Sequence, residues 1–371
     1  MTPYQIDRPE EIFSPGLIFF RDIIEENLKA ALEIAGSASR LCPHVKTHKT
    51  REIVRMERAI GIQSNKAATI AEAEMLAQEG MPEVVIAYPL VGPNLLRLVR
   101  LIQKYPQTQF SVLVDNLTIA QLLEDTLSAH QVTCGVWLDL NVGQNRTGIL
   151  PTEEAVALYQ ALNRFKCLQV LGLHVYDGHN HAVSYELRQE LVVQIVEQVR
   201  EFRSQLAKLG LKAPRVIAGG TPSFRIWAEQ DLEGLQCSPG TFTLYDVGYG
   251  NKFEDLGTLR PAAVLLTRVV SLPSPGRITL DLGHKAVAAD PPAGQRCTIL
   301  GIDDYTVGPQ NEEHLTIDLP NGHDFRPGDE LLAIPTHICP TVALHQFAYI
   351  LQDGKLVEQW EIAARNRVIT V

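Results

Sequence analysis

The chain has 371 residues, 45% of them hydrophobic and 20% charged, with a formal net charge of −10. Length and apolar content suffice for a large core and suit two domains, while the acidic balance excludes the basic footprint of a nucleic-acid-binding protein. The opening residues Met1-Thr2-Pro3-Tyr4-Gln5-Ile6-Asp7 lack the basic and apolar regions of a secretory signal. No window approaches the roughly 18 uninterrupted apolar residues of a membrane span. The six cysteines are scattered without a CxxC pair, which reads as free thiols in a reducing compartment. A cytoplasmic protein with no membrane partner is therefore expected.

The pattern opens with Leu17-Ile18-Phe19-Phe20, a short strand after the turn Ser14-Pro15-Gly16. Asp22 is placed to cap the helix that follows. The next strand ends in Pro43-His44-Val45-Lys46-Thr47-His48-Lys49. Helical spacing predicts a helix over 52–59, and 61–65 reads as a strand. Thr69 and Glu72 then form a capping-box pattern at a helix start. A buried strand over 84–87 precedes a helix opened by Pro93, and a strand over 110–114 precedes a helix capped by Asn116 or Thr118. Strands over 135–140, 168–175 and 215–218 alternate with helices over 152–162 and 186–209.

That makes eight strand–helix alternations between about residue 15 and residue 230. Alternation implies parallel pairing, and eight units suit a closed (β/α)8 TIM-type barrel. No GxGxxG follows any strand, so a dinucleotide crevice in an open sheet has no support. After about residue 255 the texture becomes short strands separated by Pro-Ser-Pro-Gly, Pro-Pro-Ala-Gly and Asn-Gly turns, ending in a hairpin around Asp353-Gly354. The expected division is a barrel over 12–250 and a C-terminal all-β domain over 251–371, against which residues 1–11 can pack.

Barrel active sites lie at the C-terminal ends of the strands. If 43–49 is extended, His44, Lys46 and His48 share a face. Enclosed there, Lys46 beside other cations has a lowered pKa and becomes the neutral amine that Schiff-base chemistry requires. On their own, however, these seven residues read first as a solvated basic stretch. Gly219-Gly220-Thr221, after a strand and before a helix, suits a phosphate as well as it suits a plain loop: glycine amides approach the anion and the hydroxyl donates. Arg146 suits a phenolate or carboxylate, or a structural ion pair. His174, His179 and His181 crowd one loop, where histidines are also often mere surface. His337 and Cys339, two apart, make half of a zinc site or a buried Cys beside a turn His.

Lys46 in Pro-His-Val-Lys-Thr-His-Lys, Ala68-Thr69-Ile70-Ala71-Glu72-Ala73-Glu74, Asn145-Arg146-Thr147-Gly148, Tyr176-Asp177-Gly178-His179, Gly219-Gly220-Thr221, Ser238-Pro239-Gly240-Thr241 and His337-Ile338-Cys339-Pro340-Thr341 occur in this order. Together they resemble the D-threonine aldolase / D-serine dehydratase family of fold-type III pyridoxal-phosphate enzymes, relatives of alanine racemase, over nearly the whole chain. The resemblance implies that Lys46 holds pyridoxal 5'-phosphate as an internal aldimine and shuttles the α-proton. Gly219, Gly220, Thr221, Gly240 and Thr241 would bind its phosphate, and Arg146, His174 and Tyr176 would line the cofactor pocket. His337 and Cys339 would bind a divalent metal, and His179 or His181 would be the base.

It further implies a homodimer acting on a small D-amino acid, with retro-aldol cleavage of D-threonine to glycine and acetaldehyde favoured. D-serine dehydration to pyruvate and ammonia is the alternative. As a departure, aldolase members carry Asp where this chain has Cys339, whereas dehydratases carry His-x-Cys. The soft thiolate favours Zn2+ over Mn2+ or Mg2+. A racemase would need a second base such as Tyr305 or Tyr349. A single-barrel cofactor carrier would lack the C-terminal domain.

Overall fold

The computed structural model describes residues 4–371. In chain order the elements are β1 (Gly16–Phe20), α1 (Arg21–Ala35), α2 (Arg51–Ala59), β2 (Ser64–Ala67), α3 (Ile70–Gln78), β3 (Glu83–Ile86), α4 (Pro93–Lys104), β4 (Gln109–Val114), α5 (Leu117–Ala129), β5 (Cys134–Leu140), α6 (Glu153–Leu162), β6 (Leu168–Val175), α7 (Tyr185–Lys208), β7 (Arg215–Ala218), α8 (Phe224–Ala228) and β8 (Leu235–Cys237). There follow α9 (Val247–Gly250), β9 (Ala263–Ser274), β10 (Arg277–Leu280), β11 (Cys297–Ile299), β12 (Thr306–Gln310), β13 (Leu315–Asp318), β14 (Glu330–Pro335), α10 (Ile338–Leu344), β15 (Phe347–Gln352) and β16 (Lys355–Glu361).

The contacts divide the chain into two compact units. One holds residues 31–46, 51–240 and 366–371; of the described residues, the other holds 4–30, 47–50 and 241–365. In the first, β2 to β8 form a parallel sheet in sequential order. Leu41 bridges Cys237 of β8 and His44 bridges Lys66 of β2, both in parallel. The segment 41–44 is thus the stave that closes the barrel. Its interior is packed rather than hollow: Cys42, Val85, Leu113, Trp137 and Ile217 form one buried cluster, and Trp137 Nε1 donates to Ser111 Oγ at 2.9 Å. These strands are covered on both faces, which is why β3 to β7 read as largely apolar runs rather than alternating ones.

Local signals place the surrounding helices. Thr69 accepts from the Glu72 amide at 3.1 Å, while the Glu72 carboxylate reaches back to the Ala68 amide. Asn116 accepts from Ile119 N. Glu74 is fully buried and accepts from the Thr370 and Val371 amides at 2.9 and 3.2 Å, which ties 366–371 to α3.

In the second unit the sheet order is β12-β13-β10-β9-β1-β15-β16, with β14 pairing β9 and β11. The expected hairpin is present, and Asp353 and Gly354 take the positive φ that its turn demands. The opening segment packs here: Arg268 donates to Pro9 O and Ile12 O.

Three expectations about local structure are corrected. Residues 17–20 do form a strand, but β1 belongs to the second unit, antiparallel to β9 and parallel to β15. The first barrel stave in chain order is therefore 41–44, and Lys46 follows that first stave rather than a second one. The stretch 43–49 is not a strand. Pro43 has no N–H to donate to a ladder, pairing is confined to bridges at Leu41 and His44, and 45–48 form a turn. Asp22 also lies inside α1 rather than capping it, and accepts from the Asp353 amide at 2.9 Å.

Candidate active site

The turn that presents Lys46 is held from several sides. His44 N donates to Pro239 O at 2.9 Å, Val45 N to Lys66 O at 3.0 Å, and Lys66 N to Pro43 O at 2.7 Å. The Lys46 amide donates to His44 Nδ1 at 3.3 Å. Lys46 is partly buried and lines a pocket at the strand ends with Lys66, Asp139, Arg146, His174 and Tyr176. The Arg146 guanidinium sits 5.0 Å from the Tyr176 ring centroid and Lys66 Nζ sits 5.7 Å from it, so both lie within cation–π range of one ring.

His174 is buried between Asp139 and Lys66. Its Nδ1 lies 2.6 Å from Asp139 Oδ1 and its Nε2 lies 3.1 Å from Lys66 Nζ. Thr147 donates to the other Asp139 oxygen at 2.9 Å. Burial would raise the Asp139 pKa, but His174, Thr147 and Lys66 outweigh it and hold the carboxyl below its ordinary range. Burial pushes His174 down, Lys66 adds to that, and Asp139 opposes it.

The loop 219–221 follows β7. Gly219 takes φ +77, and a Cβ there would meet Trp227 at 2.6 Å, so only glycine fits. A Cβ on Gly220 would lie 3.2 Å from the Tyr176 ring, which brings this loop beside the pocket's aromatic wall. The Gly240 amide donates to Thr221 Oγ1 at 3.1 Å. Asp177 braces the loop from below: it is buried and accepts from Ser223 Oγ at 2.9 Å and Trp227 Nε1 at 3.0 Å. Ser238, at the end of β8, has a buried hydroxyl with no hydrogen-bond partner among the described residues. Its amide donates to Ala218 O, next to Gly219.

An orphaned hydroxyl beside two adjacent glycines, a threonine hydroxyl and a lysine amine has the donor chemistry of a phosphorylated aldehyde's site. The residues present fit pyridoxal phosphate.

The loop histidines separate. His179 is partly buried, with its ring against Gly143 of the loop after β5; a Cβ on Gly143 would meet His179 Nε2 at 2.6 Å. His179 Nδ1 is buried without a partner among the described residues. His181 is exposed. His48 is fully buried rather than sharing a face with Lys46. Its Nδ1 accepts from the Thr50 amide at 3.2 Å, and burial pushes its pKa down to about 3.

His337, Cys339 and Thr241 belong to the second unit. His337 precedes α10 and Cys339 lies in its first turn, so the two do not lie on an extended strand. Cys339 Sγ lies 3.2 Å from Thr47 Oγ1 and 3.5 Å from Thr241 Oγ1. His337 Nδ1 lies 2.5 Å from Asp290 Oδ2. Burial would lower the His337 pKa, but Cys339 and Asp290 outweigh it and raise the value to about 9, so a metal here must displace a proton. No group of three or more His, Cys, Asp or Glu arranged for a metal occurs among the described residues. A carboxylate behind a histidine, with a thiol beside it, nevertheless fits an open catalytic site completed by water or substrate.

The sequence reading assigned no role to Lys66, Asp139, Asp177, Ser238 or Asp290. For Lys66 a signal existed: it is a lysine inside Ser64–Ala67, a strand buried along its whole length. The others depend on which distant residue they meet.

A family model described as Alanine racemase, N-terminal domain matches residues 21–243, more than half of the chain. One described as Putative serine dehydratase domain matches residues 262–351. A D-threonine aldolase of Arthrobacter sp is 27% identical over 359 residues, covering 95% of this chain and 93% of that protein. A D-serine dehydratase of Dictyostelium discoideum is 22% identical over 388 residues, covering 94% and 96%. The crystal structure of D-threonine aldolase from Filomicrobium marinum matches with a TM-score of 0.89 at 26% identity, over 96% of each chain. With both of its parts matched in order and its length spanned by such relatives, the chain belongs to the D-threonine aldolase / D-serine dehydratase family, an alanine racemase-type barrel continued by a serine dehydratase-type domain.

Proposed function

We propose that this protein is a pyridoxal-phosphate- and divalent-metal-dependent lyase that cleaves D-β-hydroxy amino acids, with D-threonine giving glycine and acetaldehyde. The observation that carries the reading is the barrel pocket, where the Lys46 amine stands with Arg146 and Tyr176 beside the glycine cradle and the orphaned Ser238 hydroxyl. The aldolase of Arthrobacter sp, matched along nearly its whole length, supports the same class.

Lys46 would bind the cofactor aldehyde through its amine and hold the proton exchanged at the substrate α-carbon. Gly219, Gly220 and Gly240, with the hydroxyls of Thr221 and Ser238, would hold the phosphate, and Thr241 follows directly in the chain. Arg146 would orient the ring through its phenolic oxygen, while Tyr176 and His174 wall the pocket. When bound, pyridoxal phosphate supplies an electron sink for the bond broken at the α-carbon. His337 and Cys339 would hold the metal, with Asp290 fixing the imidazole, and a divalent ion there acts as a Lewis acid toward the β-hydroxyl. Zinc is the ion that the thiolate favours.

His179 is the better placed of the two loop histidines to take the hydroxyl proton, because it is enclosed and has an unsatisfied ring nitrogen, whereas His181 is exposed. All six cysteines are free thiols, which suits a cytoplasmic enzyme, and a homodimer is the assembly we propose.

Cys339 favours a second reading, D-serine dehydration to pyruvate and ammonia, since its thiolate with the His337 imidazole would hold zinc. Product analysis separates the two. Purified protein with pyridoxal phosphate and zinc is given D-threonine or D-serine, with and without chelator. Glycine and acetaldehyde from D-threonine, lost on chelation, are expected. Pyruvate from D-serine with no glycine from D-threonine would replace the aldolase reading by the dehydratase one.

A further inference from the structure

We propose that Lys66 is a second functional amine of the barrel pocket, a proton-holding residue backed by His174 and Asp139. The proposal rests on the reading of this pocket as a pyridoxal-phosphate site, but its geometry stands without the cofactor.

A structural lysine inside a protein is normally paired with a carboxylate, because burying an unpaired ammonium costs several kcal/mol. Lys66 is only 3% exposed. The hydrogen-bond partner of its Nζ among the described residues is an imidazole nitrogen, and the carboxylate stands one residue further back. The tautomer follows from the order of the groups. Asp139 is held ionised and can only accept, so the proton between it and His174 sits on Nδ1. His174 Nε2 is then bare and accepts from Lys66. An ammonium at Lys66 carries three N–H donors, of which His174 satisfies one; the remainder of the amine lines the pocket beside Lys46.

The charged and titratable groups around Lys66 come from three segments. They are Cys42, His44 and Lys46 on the closing stave and its turn, Asp139 on β5 and Arg146 after it, His174 on β6 and Tyr176 after it. The neighbouring residues Ala87, just after β3, and Leu113 of β4 are apolar. Burial pushes Lys66 down to about 8. Lys46 and Arg146 push the same way, while Cys42 and Asp139 oppose. The amine is thereby brought near its protonation midpoint at the pH where an enzyme works.

The Lys66 ammonium can release one proton from Nζ to solvent in the pocket, leaving a neutral amine that still donates an N–H to the bare His174 Nε2. Uptake of a proton from solvent restores the ammonium. Lys66 thus holds a proton while negative charge occupies the pocket and sheds it when that charge leaves. A structural cation does neither.

The full-length protein, its Lys66→Met and Lys66→Arg variants, and a His174→Gln variant for assignment decide the matter in two arms. In cofactor-free protein, 15N NMR of labelled histidine reads the His174 tautomer and protonation midpoint. The expected result is an Nδ1–H tautomer in wild type, with a midpoint that rises in Lys66→Met. An unchanged midpoint in Lys66→Met would overturn the coupling. With pyridoxal phosphate added, the near-visible absorbance of the bound cofactor and kcat are followed against pH. Wild type is expected to show a transition near pH 8 that both variants lack, with kcat lower by about 100-fold in each. Full rescue of kcat by Lys66→Arg, a permanent cation, would refute proton holding and leave a structural charge. Failure of wild type to take up the cofactor would strike the pyridoxal-phosphate reading, while the first arm still decides Lys66.

Discussion

The turn after Lys46 offers a measurable test through His48. Its Nδ1 accepts the Thr50 amide hydrogen and therefore carries no proton, and the residue is fully buried. Its pKa falls to about 3 because burial penalises the imidazolium, with the charge of Lys49 adding to this. In the unfolded chain histidine titrates near 6.5. Between those values the unfolded state binds a proton that the native state refuses, so stability falls as pH falls through that window. From pH 7 to pH 5 the loss is about 1.36 kcal/mol for each of roughly 1.5 pH units below the unfolded midpoint, or about 2 kcal/mol.

His48→Asn keeps a side-chain oxygen as the acceptor for Thr50 but cannot titrate. It is expected to be less stable than wild type at pH 7, because ring volume is lost from a packed site, yet to lose about 2 kcal/mol less between pH 7 and pH 5. Urea unfolding of both proteins at the two pH values measures the difference and cancels the other titrating groups. Losses that agree within about 0.5 kcal/mol would refute the buried, neutral assignment of His48.

Two further outcomes follow from the pocket. Lys46→Ala is expected to abolish the near-visible absorbance that develops when pyridoxal phosphate is added to the cofactor-free protein; survival of the band would remove Lys46 from the centre of the site. Asp177→Ala strands the Ser223 hydroxyl and the Trp227 indole N–H beneath the loop 219–221. With a stranded buried donor costing about 1–3 kcal/mol, destabilisation of about 2–5 kcal/mol in urea and weaker cofactor affinity by titration are expected. A loss below about 1 kcal/mol with unchanged affinity would show that Asp177 does not brace the cradle.

Much of this protein follows from local pattern. Strands covered on both faces write themselves as short apolar runs, so the alternating barrel and the change of texture after residue 255 are legible without coordinates. Thr69 and Asn116 mark helix starts because a cap is a contact between residues three apart. The loop 219–221 is equally visible, since positive φ and close approach leave glycine as the fitting residue.

Contacts between residues far apart in sequence were decided only by the tertiary structure. The apolar residues 17–20 suit a barrel strand as well as they suit the second sheet, and only their pairing with β9 and β15 settles the matter. His48 looks like a companion cation of Lys46, but burial makes it a neutral acceptor. Lys66 and Asp139 are ordinary residues of strands 73 positions apart until His174, 35 beyond Asp139, stands between them. A hydrogen-bond network of that span has no sequence period, because folding rather than spacing brings its members within 3 Å or so of one another.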